Sequence, residues 1–294
     1  MGGIGSSRRL RIAGMVCAWC LAALLGTGES RSPAAAKPPV TGRQPWTRQA
    51  LGESAPVLRF AVLCDRSGGT RPGIFERAVE RIRLLQPDLV LSIGDLIDGA
   101  AASPAELQAQ WEELDGIVSR LPARFFYVPG NHDVSKTPFS TETWQKRYGP
   151  LYYHFVFRGA LFLCLNSDDG QPGQIGEPQL RYVQNALREQ AKPRWTFVFV
   201  HKPLWDIPDT KGWDTVEKLL DGRPYTVFSG HTHEYRHSKR KGRDYFGLST
   251  TGAGWSKERK PGEFDQIGWV SLSTGEPGVA ILKLDGLLAP ADLP

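Results

Sequence analysis

Beyond its first 25 residues the sequence has no run of 18 apolar residues, so no later segment reads as a membrane-spanning helix. Cysteine is scarce, at four in 294 residues. Only Cys64 and Cys164 lie outside the N-terminal stretch, so the body can hold at most one disulfide. Each sits inside an apolar run. They could pair in an oxidising compartment, or act as two inert buried thiols, the commoner fate of such residues. Charge of one sign is also in short supply. The formal net charge is +5, but four Arg against one Glu in residues 1–36 account for +3, leaving +2. That argues against a nucleic-acid partner recognised through overall charge. No internal repeat is visible. What remains is a chain with 40% hydrophobic residues, long enough to bury a large core.

The N-terminus reads as an export signal. Arg8, Arg9 and Arg11 precede an apolar stretch, Ile12 to Leu25, that is short for a bilayer span. Small residues follow, with a cleavage site expected near Ala34-Ala35-Ala36. Ser7-Arg8-Arg9 resembles the start of a twin-arginine signal, so Sec and twin-arginine routes both stand. Residues 1–36 are therefore assigned as signal and the product is expected to be periplasmic or extracellular. Residues 37–56 are read as a linker rich in turn and breaker residues, 57–285 as the folded domain, and 286–294 as a tail.

From Val57 onward strand and helix patterns alternate. Phe75, Val79, Ile82 and Leu85 have helical spacing. Ser103-Pro104-Ala105-Glu106 is a capping box with proline at the first helical position. Glu177 to Gln190 is a third helix, Tyr152 to Asn166 an antiparallel pair turning at Arg158-Gly159, and Gly268 to Leu284 a hairpin. The pattern implies an α/β fold of two packed sheets with helices outside them.

Five of the apolar runs end in residues that can ligate a metal. VLRFAVLC runs into Asp65, DLVLSIG into Asp95, FFYVPG into Asn131-His132-Asp133, FVFV into His201, and YTVFSG into His231-Thr232-His233. Ligands in open α/β sheets bind beyond the carboxyl ends of the strands. Two carboxylates, three imidazoles and an amide oxygen suit Mn, Fe or Zn better than Ca or Mg. Their number exceeds one tetrahedral shell and fits two ions sharing a carboxylate, an arrangement that clamps an in-line displacement at phosphorus.

This order of blocks, with successive ligands 30, 36, 70 and 30 residues apart, resembles the calcineurin-like metallophosphoesterase superfamily. The resemblance rests on Asp65, Gly94-Asp95-Leu96-Ile97-Asp98, Gly130-Asn131-His132-Asp133, His201 and Gly230-His231-Thr232-His233. It implies a four-layer sandwich of two mixed β-sheets flanked by helices, and hydrolysis of phosphate mono- or diesters by a metal-activated hydroxide. It implies that Asp95 bridges two divalent or trivalent ions. Asp65 and His233 then hold the first ion, and Asn131, His201 and His231 the second. His132 would act on the substrate, Asp133 would orient His132, and Asp98 would order the Asp95 loop. The expected partner is a phosphorylated or otherwise anionic small molecule.

One block departs from the family pattern. Where Asp-x-His is usual, the chain reads Asp65-Arg66-Ser67, so a histidine ligand is missing. Three explanations remain open: a water fills the position, Arg66 with Gly68-Gly69 shapes a phosphate-binding loop, or the first ion is lost. The alternative to an enzyme is a weak or silent member acting as a scaffold. A phosphoprotein phosphatase is disfavoured, because that branch continues the Asp98 motif with Arg-Gly and this chain has Gly99-Ala100.

Overall fold

The structure, a computed structural model, describes residues 42–47 and 57–285. The expected signal over 1–36 and the tail over 286–294 lie outside the described residues.

Two sheets form the centre. The first has the order β11-β10-β1-β2-β3, built from β1 (Leu58–Leu63), β2 (Leu89–Ser92), β3 (Arg124–Phe126), β10 (Gln266–Leu272) and β11 (Gly278–Lys283). The second has the order β4-β5-β6-β7-β9-β8. Its strands are β4 (Tyr153–Phe157), β5 (Ala160–Leu165), β6 (Trp195–Val200), β7 (Tyr225–Ser229), β8 (Arg236–Arg240) and β9 (Arg243–Gly247). Strands β1-β2-β3 and β5-β6-β7-β9 run parallel; antiparallel strands complete both edges of the second sheet and the β10-β11 side of the first, whose other edge is β3. Strands covered on both faces need apolar residues at every position, which is why these runs are continuous rather than alternating.

The pleat sorts their side chains. On β1, Leu58, Phe60 and Val62 point between the sheets, where they meet Phe162, Phe197, Phe199 and Phe228. Ala61 and Leu63 point the other way, onto helices α1 (Ile74–Leu85) and α2 (Pro104–Val118). The outer face of the second sheet carries Leu163, Val198 and Val227, covered by α5 (Glu177–Glu189) and α6 (Trp213–Leu219). The result is the expected four layers. Helix α1 buries Phe75, Ala78, Val79 and Ile82, a stripe of i, i+3, i+4, i+7. Helix α2 starts as its sequence dictates: Ser103 Oγ accepts from Glu106 N at 3.3 Å, and Glu106 Oε2 accepts from Ala102 N at 2.8 Å. Two short helices, α3 (Asn131–Val134) and α4 (Ser140–Tyr148), follow β3.

The linker expectation needs correction. Residues 42–47 lie on the open side of β3. Trp46 bridges Phe126, Thr47 N donates to Phe125 O at 3.0 Å, and Tyr127 N donates to Pro45 O at 2.7 Å. The Trp46 ring rests on Phe126 and Tyr153 at 5.6 and 5.5 Å. This short segment caps backbone groups that an edge strand would otherwise expose. Cys64 and Cys164 are free thiols buried in the inter-sheet core. No helix among the described residues is long and apolar enough to cross a membrane.

Candidate metal centre

The parallel strands of both sheets end on one side, and the turns beyond them carry the ligand-type residues. Asp65 follows β1, Asp95 follows β2, Asn131 opens α3 after β3, His201 follows β6, and His231 and His233 follow β7. Four of these hold left-handed backbone: Asp65 at φ 45°, Asp95 at 53°, His231 at 73° and His233 at 55°. Such conformations cost non-glycine residues energy and persist where surrounding contacts enforce them, commonly at functional sites. The Asp95 turn shows how tightly the loops are fitted. Gly94, at φ 96°, lies so close to the Gly130 backbone that a Cβ there would collide with it.

The donor atoms converge. One ligand atom each from Asp95, His201 and His231 lies within 4.8 Å of the others. His201 Nε2 is 3.2 Å from Asp95 Oδ2 and 3.1 Å from Asn131 Oδ1. His233 Nε2 is 3.4 Å from Asp65 Oδ1. The histidines are oriented from behind: His201 Nδ1 bonds Ile93 O at 2.8 Å, and His233 Nδ1 bonds Gly254 O at 2.6 Å. A Nδ1–H donated to a carbonyl leaves Nε2 as the ligand atom, the usual tautomer of metal-bound imidazole.

The electrostatics also fit cations. Asp65 and Asp95 are buried, at 0% and 2% exposure, and buried carboxylates need compensation. Burial would raise the Asp95 carboxyl, but His201 and His132 hold it below the usual carboxylate range. Burial would lower His201, yet Asp95 raises it to about 10. Burial and the neighbouring His201 push His231 down to about 4. In the protein alone, an imidazolium must supply the positive charge this pocket demands; divalent cations held by the same side chains would supply it instead.

His132 stands beside this group. Its Nδ1 bonds Asp98 O at 2.8 Å, and its Nε2 is 4.0 Å from Asp95 Oδ2. The expectation that Asp133 orients His132 is not met. The Asp133 carboxylate accepts from Gly130 N and Asp95 N at 2.8 Å each, from Leu96 N at 2.9 Å and from Ile97 N at 3.3 Å. It pins the Asp95 loop, the task expected of Asp98, while the Asp98 carbonyl orients His132. Burial and the charge of Asp95 raise Asp133 to about 7.

Arg66 does not face the ligands. Its guanidinium donates to Leu96 O at 3.2 Å, pairs with Glu113 and lies 6.0 Å from the Phe75 ring. Ser67 is buried, and its hydroxyl donates to Asp95 O at 2.9 Å. Gly68 does approach the centre: a Cβ there would sit 3.0 Å from His233 Cε1 and 3.8 Å from His132 Nε2. Of the explanations for the missing histidine, the Arg66 one loses its arginine, because Glu113 on α2 holds it.

Aromatic and basic residues that follow the histidine blocks in sequence have local partners. Trp205 packs on Trp213 and Tyr245. Trp255 stacks between Arg71, at 3.5 Å, and Arg259, at 4.1 Å. Arg236, Lys239 and Arg240 pair with Glu234, Asp244 and Glu217 on or beside the β8–β9 hairpin. Two features escaped the sequence reading. Lys202, next to His201, forms a buried 2.5 Å pair with Asp168. Ser249 to Gly254 wraps the Asp65 and His233 turns, with small polar residues and glycines that carry no ligand signature.

Known proteins resemble this chain in sequence and in fold. The family model for calcineurin-like phosphoesterase matches residues 60–235, which is more than half of the chain and spans Asp65 to His233. The serine/threonine-protein phosphatase CPPED1 of Mus musculus is 28% identical over 196 residues, 58% of this chain and 62% of its own length. The Homo sapiens protein of that name is 27% identical over 199 residues, with the same shares. The chain thus spans about 62% of the length of the curated relatives it matches. Among solved structures, a dimetal phosphatase from Danio rerio aligns over 78% of this chain and 97% of its own, at TM-score 0.62 and 14% identity. GAP50, the anchor in the inner membrane complex of Plasmodium, aligns over 78% and 85%, at TM-score 0.58 and 15% identity. With the matched region covering most of the domain and every converging donor inside it, the chain belongs to the calcineurin-like phosphoesterase family.

Proposed function

We infer that the protein hydrolyses phosphate mono- or diesters with two metal ions, identified by class as Mn, Fe or Zn. The observation that carries this reading is the convergence of Asp95, His201, His231 and Asn131 around one point, with the Asp65–His233 pair and His132 beside it. In this reading Asp95 would serve both halves. Asn131, His201 and His231 would hold one ion, and Asp65 and His233 the other. The ions would neutralise phosphate charge and acidify a water for attack.

The chain's own residues do the rest. With Nδ1–H donated to Asp98 O, His132 turns Nε2 toward the ligand cluster, and only its imidazolium form carries a transferable proton there. From there it can hydrogen-bond a phosphate oxygen or protonate a departing alkoxide or phenoxide. Asp133 and the buried loops keep Asp95 in place. At Gly68 the backbone approaches His233 more closely than a side chain would easily allow, with His132 beside it. Export to a periplasmic or extracellular location, expected from Arg8, Arg9 and the apolar stretch after them, completes the proposal.

A non-catalytic reading has one point in its favour, the replacement of a ligand histidine by Ser67. Metal content and turnover together decide. Purified protein reconstituted with Mn, Fe or Zn is expected to hold two ions and to cleave p-nitrophenyl phosphate or its bis-ester. Asp95→Asn or His231→Ala is expected to abolish cleavage with the fold retained. Full activity in either variant sinks the two-metal reading. A substrate panel includes a phosphoserine peptide, because the curated relatives are named serine/threonine-protein phosphatases although Gly99-Ala100 departs from that branch.

A further inference from the structure

The Asp65–His233 half of the centre has the fewest protein donors, yet many contacts hold its backbone. Gly94 O and His231 N contact Asp65, and a set of further contacts comes from one segment, Ser249 to Gly254, whose residues are buried except at its last position. Thr250 Oγ1 donates to Asp65 O at 2.8 Å, and Ala253 N donates to the same oxygen at 2.9 Å. Thr251 N donates to Cys64 O at 2.8 Å. Ser249 Oγ donates to His233 O at 2.7 Å, and Gly254 O takes the His233 Nδ1 proton at 2.6 Å. Gly254 N reaches Gly68 O at 3.1 Å. Thr250 also organises the segment itself, because its Oγ1 accepts from Gly252 N at 3.0 Å and Ala253 N at 2.6 Å.

The segment is clamped from outside as well. Arg71 N donates to Gly252 O at 2.7 Å, and Arg71 Nε donates to Ala253 O at 2.9 Å. Both Arg71 terminal nitrogens engage the buried carboxylate of Asp265, which also accepts from Gly252 N at 3.2 Å. A planar guanidinium on a carboxylate fixes orientation as well as distance. Ser67 cannot share this work, since its hydroxyl is committed to Asp95 O.

We propose that the Ser249–Gly254 segment, with Thr250 as its pivotal residue, is a positioning element that allows Asp65 and His233 to hold an ion without the histidine of the usual Asp-x-His block. It contributes no donor. Asp65 and His233 both sit in left-handed backbone, and without outside bonds each would relax and carry its donor atom away from the other. With a ligand missing, affinity at this half depends on how little the remaining donors can move. The proposal rests on the two-ion reading above.

The test uses Mn2+ alone, the full chain, and the variants Thr250→Val, Thr250→Ser and Ser249→Ala. Ions per chain and the two dissociation constants are measured by titration of apo-protein, together with the apo melting temperature. Wild type is expected to bind two ions. Thr250→Val should weaken the weaker-bound ion about tenfold or more, the range seen when outer partners of metal ligands are removed, and leave the tighter one unchanged. Thr250→Ser, which keeps the hydroxyl, should restore binding. If Thr250→Val lowers the apo melting temperature but leaves both constants at wild-type values, the segment is merely structural and the proposal is overturned. Should Thr250→Val not fold, Ser249→Ala removes only the hydroxyl on His233 O and Phe264 N and is expected to weaken the same ion; unchanged constants there overturn it equally. A wild type that holds one ion or none instead overturns the two-ion reading.

Discussion

Replacing Asp133 by asparagine separates two roles that adjacent residues could share. Asp133 is fully buried, and its two oxygens accept four backbone N–H groups from the Asp95 and Asn131 turns. An asparagine side chain keeps one carbonyl oxygen and presents an NH2 where the other oxygen was. Two backbone donors then face a donor. At a pH above the Asp133 value of about 7 the carboxylate is ionised; hydrogen bonds to a charged acceptor contribute roughly 1.5–3 kcal/mol each, and the 3.3 Å bond to Ile97 belongs at the weak end. The neutral amide also relieves repulsion from Asp95, which favours the low end for both. The expected loss is therefore about 3 kcal/mol. At a urea slope of about 3 kcal/mol/M, the unfolding midpoint of the metal-free protein falls by about 1 M. His132→Ala removes one bond, to Asp98 O, from a side chain that is 20% exposed. It should cost about 1 kcal/mol or less but reduce kcat by 10²–10⁴ on substrates with poor leaving groups. Equilibrium unfolding in chelator and steady-state kinetics with Mn measure the two quantities separately. A midpoint for Asp133→Asn within about 0.3 M of wild type, roughly 1 kcal/mol at that slope, refutes the assignment of Asp133 to the loop.

Further outcomes follow from the same contacts. Arg66→Met should destabilise the fold by about 1–2 kcal/mol through loss of the bonds to Leu96 O and Glu113, yet leave kcat/KM on aryl phosphates within about threefold of wild type; a hundredfold drop in a folded variant would return Arg66 to the substrate site. Glu217 is a buried carboxylate bonded to Arg240, Tyr245 and the Trp213 indole; burial would raise its pKa, but these partners lower it. A lowered folded-state pKa means stability that is present above the unfolded value of about 4.3 and is lost as pH falls through the folded value. The gap in unfolding free energy between wild type and Glu217→Gln, about 2 kcal/mol at pH 7, should therefore shrink below about pH 4. A gap that stays constant down to pH 3 contradicts the sign.

Much of this fold was legible because the chain must bury its central strands on both faces. Polar residues are then excluded until the strand emerges, so the first ligand-type residue after each run marks a strand end. That reasoning places Asp65, Asp95, Asn131, His201 and His231. Asp133 was misjudged because adjacency in sequence suggested adjacency to His132. Asn131–Val134 is helical, and neighbouring residues on a helix point in different directions. Trp46 was hidden among prolines and glycines, since a segment that pairs through a few backbone bonds has no periodicity. The Ser249–Gly254 contacts join residues up to 187 apart through main-chain atoms and small hydroxyls, which leave no local pattern to read. Arg66 failed as a site residue because its partner, Glu113, lies 47 residues away on α2.

The wide sequence separation of the centre's contacts has a kinetic consequence. His231 N meets Asp65 across 166 residues, and Thr250 meets it across 185. A chain emerging from the ribosome therefore has Asp65, Asp95 and Asn131 long before it has anything to hold Asp65 and His233 in register. Loop closures of this length are slow and come late in folding. On the two-ion reading, metal capture at the Asp65–His233 half would wait until residue 254 is in place. Ion loading there would then report that synthesis and folding have passed that point.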